Sequence, residues 1–403
     1  MMIKTYRLDL TVLTPVFIGG GSEAKLNRSQ YIFDPEKKLV YLLNEAEFIK
    51  FLKVKNLWSD YIGYVKRAGE ETERSGNPNA NNLHLSRWLQ GKKISNFALL
   101  AREAVKLESP ERNITDLNDI SCFVRSGLKE PYIPGSSLKG ALRNLIISYT
   151  ASKNPVSPEW RELEAAILEN NGKNAGQVLK DRNNRKRMDR IVQNYTPQVD
   201  IDVQNASLRD GFRFFSISDT LPLKGEDLFI TRSLRLSTYK GKNSRYLKKL
   251  PLYIEFLKPG TKTSFYLTLD TDRLKGTPLG KKEKLEEILA WQEERIPDLL
   301  GREVFDQVAG KEDIDYYFSC NNQVRPNFIL GGHAGFNTKT LIPVLARDKN
   351  RTVSSILDTQ FKGHRHRLLD KDISPRTLKI AYYAGKYYAT GLCRIDIAEE
   401  VKL

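Results

Sequence analysis

Apolar residues Tyr6, Leu8, Leu10 and Val12 alternate with Arg7, Asp9 and Thr11. That period of two predicts a half-buried strand. The strand runs into residues 14–21, Thr-Pro-Val-Phe-Ile-Gly-Gly-Gly, where three glycines leave the backbone bare. Two apolar runs, 31–33 and 39–43, flank Asp34, Pro35, Glu36 and Lys37 and predict a hairpin. Asn44 is placed to cap a helix reaching about Leu52. Strand, hairpin and helix in this order suit an α+β fold with helices against one sheet face.

Residues 56–118 are polar and read as mostly helical, with a loop at 75–79. Residues 181–190 read as an irregular stretch carrying Arg182, Arg185, Lys186, Arg187 and Arg190. Such a charge run is a solvated face first and a phosphate contact second. A new core begins near Gly211, where Phe212, Phe214 and Ile217 lead into Ser218, Asp219 and Thr220. Residues 229–236 read as an alternating strand; 252–256 and 264–269 read as strands joined through Pro259 and Gly260. Lys240, Lys242, Arg245, Lys248 and Lys249 decorate a turn interleaved with Tyr239 and Tyr246. Residues 281–300 are helical, and a second glycine-rich loop, Gly-Gly-His-Ala-Gly-Phe-Asn-Thr-Lys-Thr, follows at 331–340. Two α+β halves each hold such a loop, which suggests an internal duplication. They are 1–205, with a helical insertion at about 56–120, and 206–403.

Residues 133–143, Ile-Pro-Gly-Ser-Ser-Leu-Lys-Gly-Ala-Leu-Arg, carry the most chemistry. Pro134 and Gly135 end the preceding extended stretch, and Ser136 or Ser137 is placed to cap the helix that follows. Leu138, Leu142, Leu145, Ile146 and Tyr149 form its apolar stripe, with Lys139 and Arg143 neighbours on another side. First-turn amides, hydroxyls and two cations predict an anion site, phosphate foremost. Gly140 inside the helix costs about 1 kcal/mol relative to alanine, which calls for close backbone approach there. Gly135 and Gly140 have Walker A spacing. Ala141 and Leu142 stand where Lys and Ser/Thr are required, which excludes a nucleotidase loop.

Sixty-five Lys and Arg against 49 Asp and Glu leave a net charge of +16 on 403 residues. That balance points to a polyanionic partner, nucleic acid before membrane. Forty per cent apolar and 28% charged residues describe a folded chain of two or three domains. Cys122, Cys320 and Cys393 are isolated, so neither a zinc site nor a disulfide framework is expected, and a cytoplasmic location fits. Lys4, Arg7 and Asp9 within the first apolar stretch argue against a signal peptide or membrane span. No cofactor is expected.

Residues 14–21 and 133–143, in that order, resemble the RAMP proteins of CRISPR systems. Within that superfamily, residues 214–220 (Phe-Phe-Ser-Ile-Ser-Asp-Thr), 331–340 and 375–379 (Pro-Arg-Thr-Leu-Lys) are similar to the fifth subunit of type III-A Csm effector complexes. The resemblance implies two ferredoxin-like, RNA-recognition-motif-like domains with helical insertions. It implies a non-catalytic subunit in antiviral defence that binds CRISPR RNA toward its 3′ end, caps the backbone filament and assists CRISPR RNA maturation. The implied partners are CRISPR RNA, the repeated backbone subunit, the small helical subunit and host trimming nucleases. Carried over by motif, the family's RNA contacts fall on Gly19, Gly20, Gly21, Ser136, Ser137, Lys139, Arg143, Gly331, Gly332, His333 and Lys339. The family's backbone subunit cuts RNA with an acid in the loop after its first strand. Here Glu23 is the one acid in that loop, without a partner carboxylate, and it reads as a surface residue.

Metal-independent RNA cleavage needs a general base and acid, commonly histidine with lysine or tyrosine. His84, between Leu83 and Leu85, reads as packed; His364 and His366, alternating with Arg365 and Arg367, read as a phosphate-touching loop. His333 has room for a substrate, but nothing in the sequence places an acid beside it. The leading expectation is therefore a non-enzymatic RNA-binding subunit, with Tyr239 and Tyr246 stacking on bases. The alternatives are a RAMP endoribonuclease that processes CRISPR RNA, another large RAMP subunit of a type III complex, and a protein scaffold without RNA contact.

Overall fold

The structure, a computed structural model, describes residues 2–21, 24–75, 84–200, 206–240 and 245–401. The alternating segment forms β1 (Ile3–Val12), which buries Tyr6, Leu8, Leu10 and Val12. It is the middle strand of a five-stranded antiparallel sheet. The order is β12 (Phe328–Ile329), β15 (Leu392–Val401), β1, β10 (Lys262–Asp270) and β7 (Phe215–Ile217). The expected hairpin forms from β3 (Tyr31–Asp34) and β4 (Leu39–Leu43), and the Asn44 side chain caps α1 (Glu45–Val54) by accepting from Glu47 N.

A second sheet of ten strands runs β11 (Tyr316–Tyr317), β14 (Lys386–Ala389), β13 (Thr377–Tyr383), β8 (Leu228–Ser237), β5 (Ala101–Glu108), β4 and β3. β9 (Leu247–Leu257) pairs with β8 and, through β6 (Ile120–Ser121), leads to β2 (Lys25–Leu26). β8 was expected to alternate. It is instead buried on both faces along most of its length, because different apolar clusters take its alternate residues: Leu228 and Ile230 join the main cluster, and Phe229 packs with Ile254, Phe256 and Ala381. The strands joined through Pro259 and Gly260 do not pair with each other: β9 belongs to the larger sheet and β10 to the smaller.

Residues 101–108, inside the stretch read as helical, form β5 between β4 and β8. Only Val105 and Leu107 are buried there, too short an alternation to announce a strand, and the pairing decides the outcome. The helical part of that stretch is α2 (Trp58–Ser75) and α3 (Leu85–Gly91). The expected loop beyond Ser75 lies outside the described residues, as do Glu23 and Lys242.

Two long helices share a core with the smaller sheet. α4 (Gly135–Lys153) buries Leu138, Leu142, Leu145, Ile146 and Tyr149. α5 (Pro158–Leu168), α6 (Ala175–Lys180) and α7 (Arg182–Tyr195) follow it. The basic stretch at 181–190 is thus a regular helix, capped by Asp181, which accepts from Asn183 N and Asn184 N. α8 (Lys282–Leu300) buries Leu285, Ile288, Leu289 and Ile296. The division expected at residue 205 falls within 201–205, outside the described residues. On either side of it the sheets are shared: β1 pairs with β10 and β15, and β5 pairs with β8. One apolar cluster runs from Tyr6 to Ile395. Among the described residues no helix is long and apolar enough to cross a membrane.

Candidate nucleic-acid interface

The two glycine-rich segments, far apart in sequence, lie against each other. Gly332 N donates to Phe17 O at 2.7 Å. Gly331 has φ +93°, and a Cβ there would collide with Phe17 O, so the approach requires glycine. With α4 and α8 these segments enclose a cavity of about 380 Å³, whose walls include Gly19, Ser137, Gly140, Asn144, Arg295 and Lys339. Gly331 and Gly332 complete the loop side. Asn144 Nδ2 donates to Thr338 O at 2.9 Å and ties the loop to α4. Beyond the backbone of its own helix and its chain neighbours, no atom of the described residues comes within 4 Å of a Cβ placed on Gly140. The expected backbone contact is absent among the described residues, and Gly140 borders the cavity instead.

The start of α4 differs from its sequence reading. Pro134 is the N-cap residue, so Ser136 and Ser137 occupy the first turn and neither caps. Gly135 N donates to Asp219 Oδ1 at 2.7 Å, and Ile133 N donates to Thr220 Oγ1 at 3.0 Å. The chain supplies its own anion at this helix terminus. Gly135 is required there, because a Cβ would strike the backbone of Ile217 and Ser218. Arg143 pairs with Asp210 at 3.0 Å and lies over the Phe212 ring, 5.2 Å from its centroid.

Of the expected contact residues, the cavity gathers Gly19, Ser137, Gly331, Gly332 and Lys339. Ser136, Lys139, Arg143, Gly20 and Gly21 are not among its lining residues. His333 lies outside the lining too, its ring edge-on to Phe17 and Phe256 with centroids 6.1 and 5.7 Å away.

The cations here are unusual for lacking acids. Lys339 and Arg295 form no ion pair among the described residues, and burial lowers the pKa of both, Asp298 partly opposing this for Arg295. The Arg295 guanidinium lies 4.2 Å from the Trp291 ring centroid. Beside them on the larger sheet, Lys379 of β13 stands opposite Arg235 of β8. Burial, then Arg235 and Lys339, push Lys379 down to about 8. Burial, then Lys379, Arg235 and Lys339, hold His333 down to about 3, so its ring is neutral at physiological pH.

His84 and His366 are structural, whereas His364 is exposed. His84 precedes α3 with Nε2 3.6 Å from Asp116, and burial lowers its pKa. His366 does not sit on a phosphate-touching loop: it is buried, with Nδ1 2.9 Å from Asp370 Oδ2 in a network that includes Ser374 and Arg376. Tyr246 has Lys240 and Lys311 over its ring, at 4.9 and 5.8 Å from the centroid. Sequence reasoning missed Asn144, Arg295, Arg235 and Lys379. Asn144 had a signal, sharing the helix face of Ser137 and Gly140. Arg235 and Lys379 had one as well, since each interrupts an apolar strand, between Leu234 and Leu236 and between Leu378 and Ile380.

Comparison with known proteins agrees with the motifs. The RAMP superfamily model matches residues 9–301. The CRISPR system Csm5 protein of Enterococcus italicus is 23% identical over 417 residues, covering 98% of each chain. The Csm5 protein of Mycobacterium tuberculosis is 25% identical over 405 residues, again covering 98% of each. Among solved structures, a chain of a Csm–crRNA–target RNA ternary complex of a type III-A system superposes with a TM-score of 0.62 at 18% identity, covering 97% of this chain and 100% of that one. The crystal structure of T. onnurineus Csm5 gives 0.56 at 16% identity, covering 96% and 99%. The relatives are Csm5 proteins along their whole length, the family model spans well over half of the residues, and the chain belongs to the RAMP superfamily.

Proposed function

We propose that the chain is a non-catalytic, RNA-binding subunit of a type III-A Csm effector complex, working in the cytoplasm in antiviral defence. In this reading it holds CRISPR RNA toward its 3′ end, caps the filament of repeated backbone subunits, and assists CRISPR RNA maturation. The small helical subunit and host trimming nucleases are further partners in the proposal. The observation that carries it is the cavity where α4 meets the glycine-rich loop, bordered by Lys339 and Arg295 with no paired acid among the described residues. The Csm5 relatives and the RNA-containing assembly of the structural neighbour support it. So does the net charge of +16.

The chain order β1–α4–β7–β10–α8–β15, with strands adjacent as β15, β1, β10 and β7, supports reading this part as a ferredoxin-like unit. We assign one RNA-recognition-motif-like domain to it and a second to the larger sheet. Its strands come from both sides of residue 205.

His333 supports binding over cutting. An imidazole held down to about 3 is a poor base at neutral pH, and its charged neighbours are cations. Labelled repeat RNA incubated with the purified protein in EDTA should be bound and left intact. Site-specific cuts that vanish in His333→Ala would overturn the non-catalytic reading in favour of an endoribonuclease. Absence of any RNA binding by the protein assembled with its neighbours would favour a scaffold.

A further inference from the structure

We propose that Arg235, Lys379 and Lys339 form a seat for a phosphate group on the face of the larger sheet beside the cavity. The protein's habit elsewhere makes this cluster stand out. Arg125 is buried between Glu103 and Glu255, at 2.8 and 2.7 Å. Arg376 is buried on Asp370 at 2.6 Å, and Arg232, three residues before Arg235 in β8, faces Glu111. These buried cations are paired with acids, as the cost of burying charge demands. Arg235 and Lys379 are half-buried, Lys339 stands exposed at the rim, and none of the three has such a partner among the described residues.

Their placement is also costly. Opposed residues of an antiparallel ladder point to the same face with Cβ atoms about 5 Å apart, and like charges there are destabilising. Lys379 and Arg235 are so opposed. The groups facing Lys379 are Arg235 on β8 and, from the loop, Lys339 and His333; none is an acid. Two further polar atoms are buried there without a hydrogen-bond partner, Arg235 Nε and His333 Nδ1. Buried polar groups are ordinarily satisfied, so an unpaired donor beside three cations signals a ligand. The neutral imidazole can carry a proton on Nδ1 and donate it to an oxygen.

A carboxylate confines its acceptors to one plane, whereas the donors here come from β8, β13 and the loop. A phosphate presents oxygens to several donors at once and suits a guanidinium fork with two ammonium groups. Its source is either an internal phosphodiester of a bound strand or a terminal or free phosphate. The first source rests on the RNA-binding reading above; the seat itself does not.

The test compares wild type with Arg235→Gln and Lys379→Gln. The probes are one short RNA carrying hydroxyls at both ends, the same RNA with a 3′ phosphate, the same with a 5′ phosphate, and inorganic phosphate. Each substitution should weaken RNA binding roughly tenfold, the loss expected for a hydrogen bond to a charged group. Equal loss on all strands identifies an internal phosphodiester, and loss confined to a phosphorylated strand identifies a terminal one. Both variants should melt no lower than wild type at low salt, because each removes a repulsion. Inorganic phosphate should raise the melting temperature of wild type more than that of either variant. If wild type binds no RNA yet shows this phosphate protection, the RNA reading fails and the seat stands. Unchanged RNA affinities together with equal phosphate protection in all three proteins would overturn the seat. So would lower melting temperatures in both variants without any loss of binding.

Discussion

The start of α4 and the sheet face around Arg235 both concentrate positive charge, and they handle it in opposite ways. At α4 the chain answers the helix terminus and Arg143 itself: Asp219 accepts from Gly135 N, Asp210 takes Arg143, and the Phe212 ring covers the guanidinium, which leaves Lys139 alone without an ion pair among the described residues. Around Arg235, Lys379 and Lys339 no acid replies among the described residues, Arg295 has only the partial opposition of Asp298, and burial lowers the pKa of all four. The motif that looks most like a phosphate grip in the sequence is largely a structural joint between α4 and the 210–220 segment. Charge left unanswered, rather than charge as such, marks where a polyanion belongs.

The sharpest way to break this comparison is to attack the joint. Gly135→Val forces a side chain into the backbone of Ile217 and Ser218 and should cost about 1–3 kcal/mol of stability, read by denaturant unfolding. RNA affinity per folded molecule should hold, whereas a phosphate site at this terminus would lose binding first. Asp219→Asn removes the anion at the helix start and should cost about 1 kcal/mol by the same measurement, with RNA affinity unchanged or raised.

A pH titration sharpens the other side. A lysine pushed down to about 8 penalises the free protein where it is charged, below that value. The penalty is relieved as pH rises from about 8 toward the ordinary lysine range. Binding of a phosphate runs the opposite way: affinity should fall severalfold between pH 7 and 9 as Lys379 loses its proton. The groups facing Lys379 are Arg235 on the adjoining strand, Lys339 on the loop, and His333, which is neutral throughout. Lys379→Gln should flatten the profile; an identical profile in the variant would assign the titration elsewhere.

How much of this was legible in the sequence follows from the reach of each interaction. β1, the hairpin at 31–43, α1 and α8 announce themselves because their periods and caps are local. β5 does not, since Val105 and Leu107 alone are buried and the strand exists through its pairing with β4 and β8. The separation of β9 and β10 into different sheets is equally invisible, because a turn through Pro259 and Gly260 fixes a bend and no partner. The site shows the same limit. Gly331, Gly332 and Lys339 stood out as a glycine-rich loop with a lysine. Nothing local joins Ile133 and Gly135 to Asp219 and Thr220, or Arg143 to Asp210, or Arg235 to Lys379. Those pairings decide which cations are free.

The most direct measurement is the salt dependence of RNA affinity in two double variants, Lys139→Ala/Arg143→Ala at the helix and Arg295→Ala/Lys339→Ala at the cavity. Each phosphate contact to a single strand contributes about 0.7 to the slope of log affinity against log salt. The cavity variant should lose about 1.4 from that slope together with at least tenfold in affinity, and the helix variant should change little. A slope that drops in the helix variant and survives in the cavity variant would contradict the account.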